Sequence, residues 1–141
     1  MSSSISTHKN HDNQILGGAY RQVRDTNQGG QVHHIPANSI SPLDKDDGPA
    51  ILMTTPDHQR TGSWGRGVQQ RAYRNQQKYL IDTQGWNGFK EAMQMDVADL
   101  HRNFGDKYDP GINQALAYVQ DNEVNLKQKF KDAIFPKEMS P

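Results

Sequence analysis

The chain has no cysteine. Disulfide scaffolds, thiol nucleophiles and zinc sites of the Cys-x-x-Cys kind are therefore excluded. So are the zinc-dependent base deaminases, which need a cysteine pair after their His-x-Glu. No segment approaches the ~18 consecutive apolar residues of a membrane span, and no basic start followed by an apolar run makes a signal peptide. Apolar residues are scarce altogether, at 33% of 141 positions, which suits one domain with a modest core and not two. An excess of one charge is also missing, since 16 basic residues balance 16 acidic ones. A protein that binds nucleic acid everywhere on its surface is usually basic. Any such role here has to rest on a local patch. Arg60, Arg66, Arg71, Arg74 and Lys78 supply one, with no acidic residue among them after His58 until Asp82. The plain alternative for these cations is a solvated helix face.

What is present falls into three zones. Met1 to Asn13 is rich in Ser, His, Asn and Asp with Ile5 as its one aliphatic residue after the initiator, and reads as a flexible leader. His8 and His11 within it read as spectators. Residues 14–65 are turn-rich, with Gly17-Gly18, Gly29-Gly30 and several prolines around strand-like pieces at Ala19–Val23, Gln31–Ile35 and Ala50–Met53. Residues 66–141 are helical in pattern, and together with 14–65 they form a single domain. A first helix is predicted over Val68–Asp82, ending near Gln84-Gly85. In the second, Phe89, Ala92, Met93, Val97, Leu100 and Phe104 form one apolar stripe, and Gly105 stops it. Asp109-Pro110 opens a third, because a proline in the first helical turn needs no amide partner. Its stripe of Ile112, Ala115, Leu116 and Val119 is extended by Leu126, Phe130 and Ile134, with a break at Asn122 and a stop at Pro136. His101 reads as a surface residue. The expected class is α+β: a small hairpin finger followed by about three helices.

Chemistry concentrates in two short stretches, Val32-His33-His34-Ile35-Pro36 and Thr54-Thr55-Pro56-Asp57-His58. Their order predicts a strand bearing two histidines, a loop, a second strand, and a turn into a helix beside a third histidine. Imidazole is a favoured ligand of borderline divalent ions, and a neutral imidazole takes a proton from water near pH 7. Adjacent strand residues point to opposite faces, so His33 and His34 can hold different tasks. This is the layout of a ββα-metal nuclease, in which a hairpin and a helix grip one cation and a strand histidine acts as base. On that reading His34 is the base, His33 and His58 are metal ligands, and Asp57 is an extra ligand or an acceptor that orients an imidazole. Arg60, Arg66, Arg71 and Arg74 are candidate phosphate contacts. Thr61 and Ser63 read as capping or loop hydroxyls. Trp64 reads as core packing, with a stacking platform as the alternative.

Several stretches in order resemble the C-terminal toxin domains of bacterial polymorphic toxins. They are Gly17-Gly18-Ala19-Tyr20-Arg21-Gln22-Val23-Arg24, Gly30-Gln31-Val32-His33-His34-Ile35-Pro36-Ala37, Gly48-Pro49-Ala50-Ile51 and Asp57-His58-Gln59-Arg60-Thr61-Gly62-Ser63-Trp64-Gly65. Tyr73-Arg74-Asn75-Gln76-Gln77, Met95-Asp96-Val97-Ala98-Asp99-Leu100 and Phe104-Gly105-Asp106-Lys107-Tyr108-Asp109 are similar to that family's helical half. Such domains end Rhs, LXG and related secreted carriers. Many resemble HNH or His-Me finger nucleases, each paired with a cognate immunity protein. The resemblance implies delivery by a secretion system, action on nucleic acid in a competitor's cytoplasm with DNA ahead of RNA, and an immunity partner. In colicin-type HNH DNases a His-His-x-x-Pro and a Val-Thr-Thr-Pro leading to a ligand histidine resemble His33–Pro36 and Met53–His58. Two positions depart from that pattern: Gly48-Pro49 stands where an asparagine is expected, and Gly62 where a last ligand histidine is expected. Coordination by two imidazoles leaves positions for water, Asp57 or phosphate, and suits Mg²⁺ or Mn²⁺ at least as well as Zn²⁺.

Two other readings use the same residues. One is a metal-independent ribonuclease with His34 and His58 as an acid–base pair. The other is a non-enzymatic module whose histidines hold a structural zinc, although three candidate ligands without cysteine do not close a four-ligand site.

Overall fold

The computed structural model describes residues 14–135. The expected leader, His8, His11 and the Pro136 stop lie outside them. The fold is α+β: a three-stranded antiparallel sheet is followed by a helical half. In chain order the elements are β1 (Gly17–Ala19), α1 (Tyr20–Thr26), β2 (Gln31–His34), β3 (Pro49–Met53), α2 (Thr55–His58), α3 (Val68–Phe104), α4 (Asp109–Asp121) and α5 (Glu123–Ile134).

β3 is central, between β1 and β2. Its Pro49-Ala50-Ile51-Leu52-Met53 is a nearly continuous apolar run, as expected of a strand covered on both faces. The registers Gly17–Ile51 and His33–Ile51 set one face, and Gly18–Ala50 and His34–Ala50 the other. α4 lies across the Ile51 face. Gln114 Oε1 accepts from the amides of Leu16 and Gly17 at 2.7 and 2.9 Å. The approach is so close that a Cβ on Gly17 would sit 1.9 Å from the Gly111 carbonyl oxygen.

One expected strand, Ala19–Val23, is instead the end of β1 and the start of α1. The polar run Tyr20-Arg21-Gln22-Val23-Arg24 buries only Val23, which suits a surface helix better than a strand beside the core. The amide of Tyr20 donates to the Gly48 carbonyl at 2.9 Å, where the chain leaves the sheet.

α3 is two arms, 68–84 and 86–104, broken at Gly85 where φ is +61°. The arms run antiparallel, because successive contacts recede from the break in both directions. A Cβ on Gly88 would meet the Leu80 carbonyl oxygen, Gln77 Nε2 donates to the Ala92 carbonyl at 3.0 Å, and the Tyr73 hydroxyl donates to Asp96 Oδ1 at 2.7 Å. The predicted end of the first helix and the stripe of the second are both found, with Phe89, Ala92, Met93, Val97 and Leu100 buried. α4 and α5 divide at Asn122, also as expected. One core joins the two halves: Ile35, Leu43, Ile51 and Met53 pack with Phe89, Met93, Ile112 and Phe130. Among the described residues no helix is long and apolar enough to cross a membrane.

Candidate active site

β2, β3 and α2 follow one another as strand, strand and helix, and the histidines sit on the first and last of these. His33 is on the Ile51 face of the sheet, 4% exposed. α2 delivers His58 to it. Thr54 caps that short helix by accepting the Asp57 amide at 3.3 Å, Pro56 lies in its first turn, and the His58 amide donates to the Thr54 carbonyl at 2.9 Å. The rings of His33 and His58 then meet edge to face, centroids 5.1 Å apart at 67°. His33 Nε2 is buried with no hydrogen-bond partner among the described residues. Burial above all, then the His58 and His34 rings, pushes the His33 imidazole down to about 3. Burial also lowers half-buried His58. Both shifts favour the uncharged imidazole, the form that offers a lone pair.

His34 points the other way. Its ring stacks on Tyr20 at 4.3 Å and 7°, and its Nε2 lies 2.9 Å from the Lys45 carbonyl. A carbonyl can only accept, so that nitrogen carries the proton and donates. The expected grouping of His34 as base beside His33 and His58 is thus not what the fold brings together. Strand alternation separates the adjacent histidines, and the pair formed is His33 with His58.

Asp57 is buried, and it too faces other partners than an imidazole. Its Oδ2 accepts from Lys107 Nζ at 2.7 Å and from the Tyr108 hydroxyl at 2.6 Å, with Arg60 4.0 Å from Oδ1. The bonds from Lys107 and Tyr108 hold its carboxyl below the ordinary carboxylate range. Its place is therefore a clamp between α2 and the turn before α4. Among the described residues no group of three or more His, Asp or Glu side chains is placed to hold a metal ion.

The arginines divide. Arg60 lies over the Phe104 ring, 5.3 Å from its centroid. Arg74 donates to the carbonyls of Ser63 and Gly65, which fixes a loop and leaves that edge of the guanidinium engaged. Arg66 and Arg71 are exposed. The departure at Gly62 has a steric basis: a Cβ there would lie 3.1 Å from both Asp99 Oδ1 and Tyr73 Cε2. Gly48 packs similarly against the His34 ring, 3.0 Å from the place of a Cβ.

The chain matches no protein-family model, no curated protein and no solved structure. The site therefore rests on its own geometry. Lys107 and Tyr108 escape a reading of the sequence, because nothing local marks residues that close on Asp57 from fifty positions away. Buried Gln77, Asp96 and Asp99, with half-buried Tyr73, form a polar seam between the arms of α3 and the 61–63 turn. Their polarity hides them from an apolar-stripe reading.

Proposed function

We propose that this chain is a metal-dependent phosphodiesterase acting on nucleic acid, centred on His33 and His58. The observation that carries the reading is the meeting of two imidazoles, from strand and helix, one of them with a buried and unpartnered Nε2. An orphaned buried nitrogen has a desolvation cost of ~1–3 kcal/mol unless something satisfies it. A divalent cation shared with His58 would do so, and two imidazole nitrogens fit a borderline ion such as Zn²⁺, or Mn²⁺ with its other ligands drawn from water and phosphate oxygens. When bound, such an ion neutralises phosphate charge.

The protein's own groups do the rest. His33 is the fixed member of the pair, held in the strand and closed off from solvent. His58 is the half-buried member, so water and a phosphate reach the pair from its side. The Asp57–Lys107–Tyr108 clamp sets the angle of α2 and with it the His58 ring. Arg66 and Arg71 are the exposed cations left to meet phosphates. His34 takes no part beyond packing against Tyr20. On the resemblance of its motifs to polymorphic-toxin domains, the target would be nucleic acid in a competitor cell, DNA ahead of RNA, with delivery by a carrier and restraint by an immunity protein.

A metal-free acid–base pair is less well supported. That chemistry needs one imidazole protonated near neutrality, and the environment of both rings favours the neutral form.

Titration of the protein with Mn²⁺, read by calorimetry and by loss of the free-ion electron paramagnetic signal, tests the site apart from turnover. One ion per chain, lost in folded His58→Ala and retained in His34→Ala, is the expected result. Equal binding by wild type and His58→Ala would remove the proposed centre.

A further inference from the structure

The two segments that carry the paired histidines meet again a few residues further on. From His33 the chain runs through Ile35-Pro36 into a tight 3-10 turn, Asn38–Ile40. From His58 it runs through linked turns, with Thr61 Oγ1 donating to the His58 carbonyl at 2.8 Å and the Trp64 amide to the Thr61 carbonyl at 3.2 Å. Between Ala37, Asn38 and Ser39 on one wall and Ser63, Trp64 and Arg66 on the other is a cleft of about 650 Å³. The cleft is open along one side, so a ligand in it would lie along the surface and keep one side in solvent.

Trp64 is 44% exposed, whereas Trp86, the other tryptophan, is 7% exposed. The exposed indole does not sit on a loose loop. Arg74 grips the carbonyls on either side of it, at Ser63 and Gly65, and the neighbouring Gly62 amide donates to buried Asp99 Oδ2 at 2.8 Å. A large, partly exposed indole is thus carried by a fixed backbone at the edge of the cleft. Asn38 and Ser39 opposite it carry both donors and acceptors, suited to the edge of a planar polar ring. Arg66, exposed beside them, carries a guanidinium of the kind that pairs with phosphate oxygens.

We propose that the Trp64 cleft is a base-binding subsite, taking one unpaired nucleobase on the indole face while Arg66 meets an adjoining phosphate. The proposal rests on the nuclease reading and names its substrate class: single-stranded or locally unpaired nucleic acid. Bases within a duplex have both faces stacked and cannot enter. Ala37 is four residues from His33, so chain reach limits their separation to roughly 14 Å. The bound base accordingly lies within a few nucleotides of the bond that the histidine pair addresses.

The test is binding of labelled octamers, dT₈, U₈ and a blunt DNA duplex of equal length, by fluorescence anisotropy in chelator. Wild type, Trp64→Ala, Trp64→Phe and Arg66→Gln are compared. Cleavage of the same strands with Mg²⁺ or Mn²⁺ is followed in parallel. The expected result is roughly tenfold weaker single-strand binding by Trp64→Ala, near-complete retention by Trp64→Phe, and quenching of tryptophan emission in wild type. Duplex binding should be unchanged by Trp64→Ala. Single-strand affinity that is equal in wild type and Trp64→Ala, or not measurable in wild type, overturns the subsite. If Trp64-dependent binding holds but no metal supports cleavage, the subsite stands and the hydrolytic reading falls. If strands are cleaved with no dependence on Trp64, the reverse is true.

Discussion

Asp96 offers a quantitative check on the packing of the helical hairpin. It is 1% exposed; its Oδ1 accepts from the Tyr73 hydroxyl at 2.7 Å, and its Oδ2 has no partner among the described residues. Burial, reinforced by Asp99, raises its carboxyl from 3.8 to about 7 against the lowering effect of the Tyr73 bond and the neighbouring Gln77 amide. Because the folded pKa lies above the unfolded one, the folded state binds the proton more tightly between those two values. Asp96 then adds nothing unfavourable below about pH 4, and it costs stability progressively as pH rises through 7. A shift from 3.8 to about 7 corresponds to about 4 kcal/mol at ~1.4 kcal/mol per unit. Asp96→Asn keeps the shape and an acceptor for Tyr73 while removing the charge. Urea unfolding of both proteins from pH 4.5 to 8.5 should show the Asp96→Asn variant gaining on the wild type with pH, by up to about 4 kcal/mol above pH 8. Comparing the two cancels the other carboxylates. A difference that does not vary with pH, or a variant less stable than wild type at pH 8, would show that Asp96 is not held protonated by its burial.

Other perturbations have equally definite expectations. Gly17→Ala forces a methyl into the Gly111 carbonyl and should lower stability by about 1–3 kcal/mol in chemical denaturation, as overpacking does. Phe89→Ala, at a fully buried position between Trp86 and Phe130, should cost about 3–5 kcal/mol by the same measurement. The carboxyl of Asp57 is held low by Lys107 and Tyr108, so its contribution is present above the unfolded pKa and lost as pH falls through the folded one. Tyr108→Phe should therefore flatten the acid limb of the stability profile, and an unchanged limb would dissolve the clamp. His34→Ala should lower thermal stability through loss of the Tyr20 stack and the Lys45 bond while leaving Mn²⁺ affinity within about twofold, a threshold of a few tenths of a kcal/mol.

Much of the helical half is legible in the sequence because its signals are local. Gly85 and Gly105 end helices, Asp109-Pro110 opens one, and Phe89 to Leu100 repeat at helical spacing. The hairpin and its two histidine segments are legible for a similar reason, since β3 is an apolar run between turn residues. What escapes is decided by tertiary contact. α1 is a helix because Gly48 and the sheet edge receive Tyr20 and only Val23 needs burial, which no short window reveals. The division of His33 from His34 follows from strand alternation, but which of them faces α2 depends on the register with Ile51 and Ala50. In sequence Asp57 looks like a ligand next to His58, and its capture by Lys107 and Tyr108 requires the turn before α4 to fold back onto α2. Arg74 belongs to a basic run in sequence, yet in space two carbonyls claim it.

If His33 and His58 together, and not His34, form a metal-dependent phosphodiester-cleaving centre, one comparison of variants tests it most directly. Supercoiled plasmid, single-stranded DNA and total RNA should be incubated with wild type, His58→Ala and His34→Ala, with Mg²⁺, Mn²⁺, Zn²⁺ or chelator, after circular dichroism has shown each variant folded. The expected result is metal-dependent cleavage of at least one polymer, abolished in His58→Ala and retained in His34→Ala. Cleavage that survives in His58→Ala, or no cleavage of any polymer by folded wild type with any of the metals, would contradict it.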